Sequence, residues 1–191
     1  VLMFALIFKL QLAIARGTIT LKEENSGIPT VIKTRIVFPD NYPDAEPIAA
    51  DDGEHFEHIA DRHFYKSGIC CLWLPLETQW RRDDPEALLN FVHQVALFFE
   101  RQLIYDASGG VWPWGQRSHG EAGYIEFLED VFGTEYKSIE PFLPAILGRA
   151  SIASRSSCPC KSGRRYQACH KERVISVKTA IQDTGIFRLV K

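Results

Sequence analysis

Residues 31–47 read VIKTRIVFPDNYPDAEP. Val31 to Phe38 is rich in β-branched and aromatic side chains and suits a strand. Three prolines follow within nine residues, each removing a backbone donor and fixing φ, so residues 39–47 must cross a sheet as an irregular strap. Upstream, FALIFKLQLAIA (4–15) and GTITLKE (17–23) are two further β-rich runs separated by Arg16-Gly17, and NSGIP (25–29) makes a turn into VIKTRIVF. The reading is a three-strand antiparallel meander, with PIAA (47–50) as a fourth short strand. Downstream, residues 51–76 lack a sustained period and concentrate histidine, cysteine and aromatics around Gly68, the content of a functional loop. Asp83 or Asp84 can then cap a helix with Pro85 in its first turn, and ALLNFVHQVALFFERQLIY (87–105) keeps apolar residues at helical spacing until Gly109-Gly110. A second helix is expected over GYIEFLEDVFG (123–133), a short helical turn over 141–150 and a polar linker over 151–157. The fold class is α+β.

With 46% hydrophobic residues among 191, the chain can bury a core without disulfides, and its net charge of -2 gives no field for polyanions; nucleic acid is not expected as the main partner. Five cysteines fall as a pair, Cys70-Cys71, and a cluster of three, which is metal or catalytic usage and implies a reducing cytoplasm. The opening VLMFALIFKLQLAIA lacks a basic start and is interrupted by Lys9 and Gln11, so it reads as a buried strand in place of a secretory leader. No run approaches the ~18 apolar residues of a membrane span.

CPCKSGRRYQACH (158–170) places Cys158 and Cys160 one residue apart and, after eight intervening residues, Cys169 directly before His170. Three thiolates and an imidazole close a tetrahedron around zinc with no open position, so the site is structural. The segment lies outside the expected core, and one so short needs metal to fold. It resembles the SEC-C motif, a zinc knuckle appended to many bacterial proteins. All four ligands, the Ser162-Gly163 turn and Tyr166 are kept, while Lys161 stands where the family has glycine. The resemblance implies a docking element for protein partners, with a basic rim of Lys161, Arg164, Arg165 and Lys171.

The order of strap, His63, SGICCLWLPLETQW (67–80) and long helix resembles the ubiquitin-conjugating enzyme fold across residues 4–130. It is most similar to divergent bacterial members, in which Leu-Trp follows the cysteine and a later His-Gly pair recurs, here His119-Gly120. The resemblance implies an antiparallel meander packed on helices over 1–150, a linker at 151–157, the knuckle at 158–175 and a tail at 176–191. In place of the family's His-Pro-Asn triplet stand His63, Phe64 and Tyr65, so the oxyanion would have to be held by backbone amides or another donor, for example His63 or His119. Asp106 lies near where the family places an acid that tunes an incoming lysine. Cys71 is the implied nucleophile, forming a thioester and passing the acyl group to a protein or small-amine acceptor. The implied acyl donor is the C-terminus of a protein partner, a cGAS-like nucleotidyltransferase of an antiviral operon. The alternative is a non-catalytic binding module of the same fold.

Several residues carry blander readings. His63 can pack its loop by hydrogen bonding, His119 can be a turn residue and Asp106 a solvated helix-end carboxylate. Trp80, Trp112 and Trp114 read as packing, and His93 as a satisfied core histidine. His55, His58, His63 and the cysteine pair match no standard metal spacing.

Overall fold

The computed structural model describes residues 13–22, 29–78, 80–113 and 115–184. Strands β1 (Ala13–Lys22), β2 (Pro29–Phe38) and β3 (Ile48–Asp51) form one antiparallel sheet in the order β1-β2-β3. The register pairs Gly17 with Thr34 and Ile36 with Ala49. The expected meander is present, but the expected break at Arg16-Gly17 is not. Glycine accepts extended backbone at a modest entropic cost, which the pairing of Gly17 with Thr34 in the ladder offsets, so the strand continues through it. Of the expected strand over residues 4–15, residues 13–15 belong to β1 and the rest lies outside the described residues, as does most of the NSGIP turn. The PIAA expectation corresponds to β3.

The structure divides into two compact units, the first residues 1–72 and 79–114, the second 73–78 and 115–191. This boundary differs from the expected 1–150 unit with a separate knuckle. In the first unit the face of the sheet carrying Ile32, Thr34, Ala49 and Asp51 is buried, as side-chain alternation dictates. The strap 39–47 folds on itself through bonds from the amides of Tyr42 to Pro39 O and Asp44 to Asn41 O, and Trp80 Nε1 donates to Pro43 O at 2.8 Å. Helix α1 (Ala87–Ala107) begins where Asp84 Oδ1 accepts the Glu86 amide at 2.9 Å and ends before Gly109 and Gly110, both at positive φ. It buries Phe91, Val95, Phe98, Phe99 and Gln102. His93 is exposed, contrary to its reading as a core histidine, because it lies about 200° around the helix from Phe91. Phe98 packs on Phe64 and Phe99 on Phe56, with ring centroids 5.1 and 5.8 Å apart, so α1 holds the loop that follows β3.

In the second unit, α2 (Glu121–Phe132) stops at Gly133, whose φ of 65° closes a left-handed cap with its amide on Glu129 O. The short helices α3 (Tyr136–Ile139) and α4 (Leu143–Ile146) follow, then the cysteine cluster and α5 (Lys171–Thr184), which runs through the expected knuckle boundary at 175. Phe127, Phe132, Ile139, Phe142 and Ile146 form one core with Cys158, Tyr166, Val174 and Val177. The knuckle is therefore part of a hydrophobic core and not an appendage outside one, because Cys158 and Tyr166 point inward. No helix among the described residues is long and apolar enough to cross a membrane.

Candidate functional site

Cys158, Cys160, Cys169 and His170 bring one ligand atom each to within 4.8 Å of one another, and this group can hold a metal ion. Backbone bonds shape it. The Cys158 amide donates to Arg164 O at 2.9 Å, Ser157 bridges Arg165, and the Lys161 amide returns to Cys158 O, folding the CPCK turn. Lys161 takes φ +62° in that turn and Gly163 takes +78°. A short 3-10 turn, Tyr166–Ala168, then delivers Cys169 and His170 at the start of α5. Cys160 Sγ lies 3.6 Å from Cys169 Sγ, and His170 Nδ1 lies 3.3 Å from Cys158 Sγ and 3.2 Å from Cys169 Sγ. Metal–sulfur bonds of about 2.3 Å give tetrahedral edges of roughly 3.7 Å, so the donor set fits a tetrahedral ion.

The surroundings tune these ligands. The His170 ring stacks on Phe132 at 5.6 Å and leans on Phe142 at 5.0 Å, which fixes its direction. Burial, then the charges of Arg173 and Arg164, holds its imidazole below the ordinary value, so it is neutral and able to bind metal at pH 7. Burial pushes Cys158 up to about 11. At Cys160 burial acts upward too, but hydrogen bonds from the Ser162 side chain and backbone outweigh it and bring the thiol down to about 7. Arg164 Nη2 lies 3.4 Å from Cys169 Sγ.

The cysteine pair sits in the first unit at the end of a small hairpin. Phe64 bridges Cys70, the Tyr65 amide donates to Ile69 O, and the Cys70 amide donates to Ala49 O at 2.9 Å, which extends the sheet beyond β3. Alternation then separates the two thiols: Cys70 is buried and Cys71 half-buried. Burial, then the charge of Asp51, drives the Cys70 thiol far up, and burial raises Cys71. The Cys71 amide donates to His63 O at 2.7 Å. His63 itself, at φ +56°, sets its ring edge-on to Trp112.

No protein-family model, curated protein or solved structure matches this chain. The site is therefore read from its own residues. Asp106 is exposed at the end of α1, as a solvated helix-end carboxylate would be, and it also forms an ion pair with Arg62, whose guanidinium is buried over the Tyr105 and Phe56 rings. His119 is exposed in the turn before Gly120, in the second unit, whereas Cys71 and His63 belong to the first. Among the described residues the only metal-ligating group is the knuckle. His55 packs edge-on against Phe56, and His58 Nε2 lies 3.1 Å from Asp51 Oδ2. Trp80 packs on Tyr42 and Phe91, and Trp112 on Tyr105, consistent with packing roles; Trp114 lies outside the described residues.

Sequence reading missed the Asp51–His58 pair. Asp51 is buried, and its carboxylate accepts the Phe56 amide at 3.0 Å and the Gly53 amide at 3.2 Å besides facing His58. The pair ties residues 51–58 to the hairpin that carries the cysteines, and Gly68 is the position that makes room for it. A Cβ at Gly68 would lie 2.7 Å from Asp51 O and 2.8 Å from His58 Cε1. An acid closing a strand of small residues, IAAD, followed by histidines, was the available signal.

Proposed function

We propose that the chain is a ubiquitin-conjugating-like acyl transferase with a zinc knuckle, in which Cys71 carries the acyl group. The observation that carries this reading is the local construction around Cys71. It is the less buried of two adjacent cysteines, set at the end of a hairpin whose backbone is tied to β3 and to His63, so its thiol has a fixed direction. The Cys71 thiolate would attack the carbonyl of a partner's activated C-terminus, supplied as a thioester or acyl-adenylate. The donor's thiolate or nucleotide leaves, and a thioester to Cys71 forms. An acceptor amine then attacks that thioester, loses its proton and releases the Cys71 thiolate. The donor is a protein C-terminus, for which a cGAS-like nucleotidyltransferase in an antiviral setting is the proposed source. The three thiolates and the imidazole of the knuckle would hold zinc, which supplies structure and no catalytic water.

A second reading, a binding module of the same fold, is favoured by one observation: burial raises the Cys71 thiol. In the transferase reading the bound donor must lower it. Mass spectrometry after incubation with activated donor tests the two. Cys71→Ser should trap an oxyester and Cys71→Ala nothing. An adduct that persists in Cys71→Ala contradicts the transferase reading, and a wild-type chain that never acquires one supports the binding module.

A further inference from the structure

The whole-chain charge of -2 conceals a local excess. Between Arg155 and Arg173 stand six cations, Arg155, Lys161, Arg164, Arg165, Lys171 and Arg173, and a single acid, Glu172, a formal +5 in nineteen residues against -7 for the rest of the chain. A divalent ion on three thiolates would subtract one charge and leave +4. The bonds that build the knuckle bring three of these cations together, while Arg173 Nη1 donates to Phe132 O at 2.7 Å. The Tyr166 amide on Ser156 O and the Gln167 amide on Ser154 O lay the stretch with Arg155 beside the one with Arg164 and Arg165. All but Lys171 are exposed. Among the described residues every ion pair lies outside this segment.

We infer that the knuckle is a binding surface for the phosphate backbone of a double-stranded nucleic acid. Two further observations select that partner. The first is what the surface lacks: from Arg155 to Arg173 no large apolar side chain is exposed, Ile175 on α5 being the nearest, and the Tyr166 ring is buried. A protein partner would be expected to find aromatic or aliphatic anchors here, and a single strand would be expected to find rings on which to stack its bases. Contact with a duplex backbone needs neither, since its affinity comes from neutralised phosphates and released counterions. The second is Lys161, held at φ +62° at the exposed tip of the CPCK turn. A left-handed conformation strains a non-glycine residue, and glycine would avoid that strain. The lysine there adds strain and no recorded contact of its side chain, and what it contributes is a cation facing solvent.

Fluorescence anisotropy of the zinc-loaded 191-residue chain with a labelled duplex of about 20 base pairs tests this, with salt varied from roughly 50 to 200 mM. The expected result is binding whose logarithm falls linearly with the logarithm of salt, with a slope of about -3 to -5. Lys161→Gly, which relieves strain and so keeps the knuckle folded, should reduce the slope by about 0.9, one phosphate contact. Arg155→Glu with Arg165→Glu should abolish binding while zinc content stays at the wild-type value. The inference is overturned by no binding at protein concentrations of about 10⁻⁴ M at low salt, by affinity indifferent to these substitutions, or by tighter binding to polyglutamate than to the duplex, which would assign the surface to an acidic protein.

Discussion

Phe132 joins the hydrophobic core of the second unit to the metal ligands, and replacing it with alanine should damage both. The side chain is 1% exposed, and its ring faces Phe142 at 5.5 Å and stacks on His170 at 5.6 Å with an interplanar angle of 18°. A large-to-small change at a buried phenylalanine costs about 3–5 kcal/mol, transfer and cavity together. With a ring neighbour on two sides, the upper half of that range, about 4 kcal/mol, is the expected loss. The same deletion removes one of the two rings that orient His170, and removing a group that orients a metal ligand costs about 10–100-fold in metal affinity. Urea unfolding followed by circular dichroism, with and without saturating zinc, reads the first quantity, and competition with a chromogenic chelator reads the second. Phe132→Leu, which keeps most of the volume, should lose under ~1.5 kcal/mol. The reasoning is refuted if Phe132→Ala loses the full stability yet binds zinc like the wild type, since the core and the knuckle would then be independent.

Gly68→Ala combines a φ of +79° with a Cβ placed 2.7 Å from Asp51 O, so it should destabilise the first unit by about 3 kcal/mol in thermal or urea unfolding; a loss under ~1 kcal/mol would mean that the hairpin shifts freely. Burial raises Cys71, so iodoacetamide should modify it in the isolated chain more slowly than it modifies a free thiol at pH 8, with the rate climbing only in more alkaline solution; fast modification at neutral pH would contradict the burial argument. His170 is held below its unfolded value by burial and by Arg173 and Arg164, so its contribution is present above the unfolded value of about 6.5 and is lost as pH falls through the folded one. Protons displace the metal in the same direction, and zinc release monitored by a chelating dye should therefore rise on acidification below about pH 6; release on alkalinisation instead would contradict it.

Local patterns carried much of this into the sequence. β-branched runs, the proline strap, Asp84 and the two glycine stops placed β2, β3, α1 and α2, because each rests on backbone chemistry within a few residues. The grouping of Cys158, Cys160, Cys169 and His170 was legible because the spacing that suits a metal ion also brings the four side chains together. What was not legible depends on packing between distant segments. Nothing in CPCKSGRRYQACH announces that Cys158 and Tyr166 turn into a core with Phe132 and Phe142. Arg62 reads as a surface cation until α1 brings Asp106 and Tyr105 over it. His93 was misread because a polar residue among apolar ones was placed by composition and not by its angle around the helix.

We propose that Cys158, Cys160, Cys169 and His170, a group that can hold a metal ion, together bind one zinc ion that belongs to the fold of the second unit. Metal analysis of the purified chain by native mass spectrometry, run beside Cys158→Ser with Cys169→Ser, tests it directly. The account predicts one zinc per wild-type chain, none in the double variant, and a lower unfolding midpoint on chelation. A wild-type chain that folds to the same stability without metal, or a double variant that keeps its zinc, would contradict it.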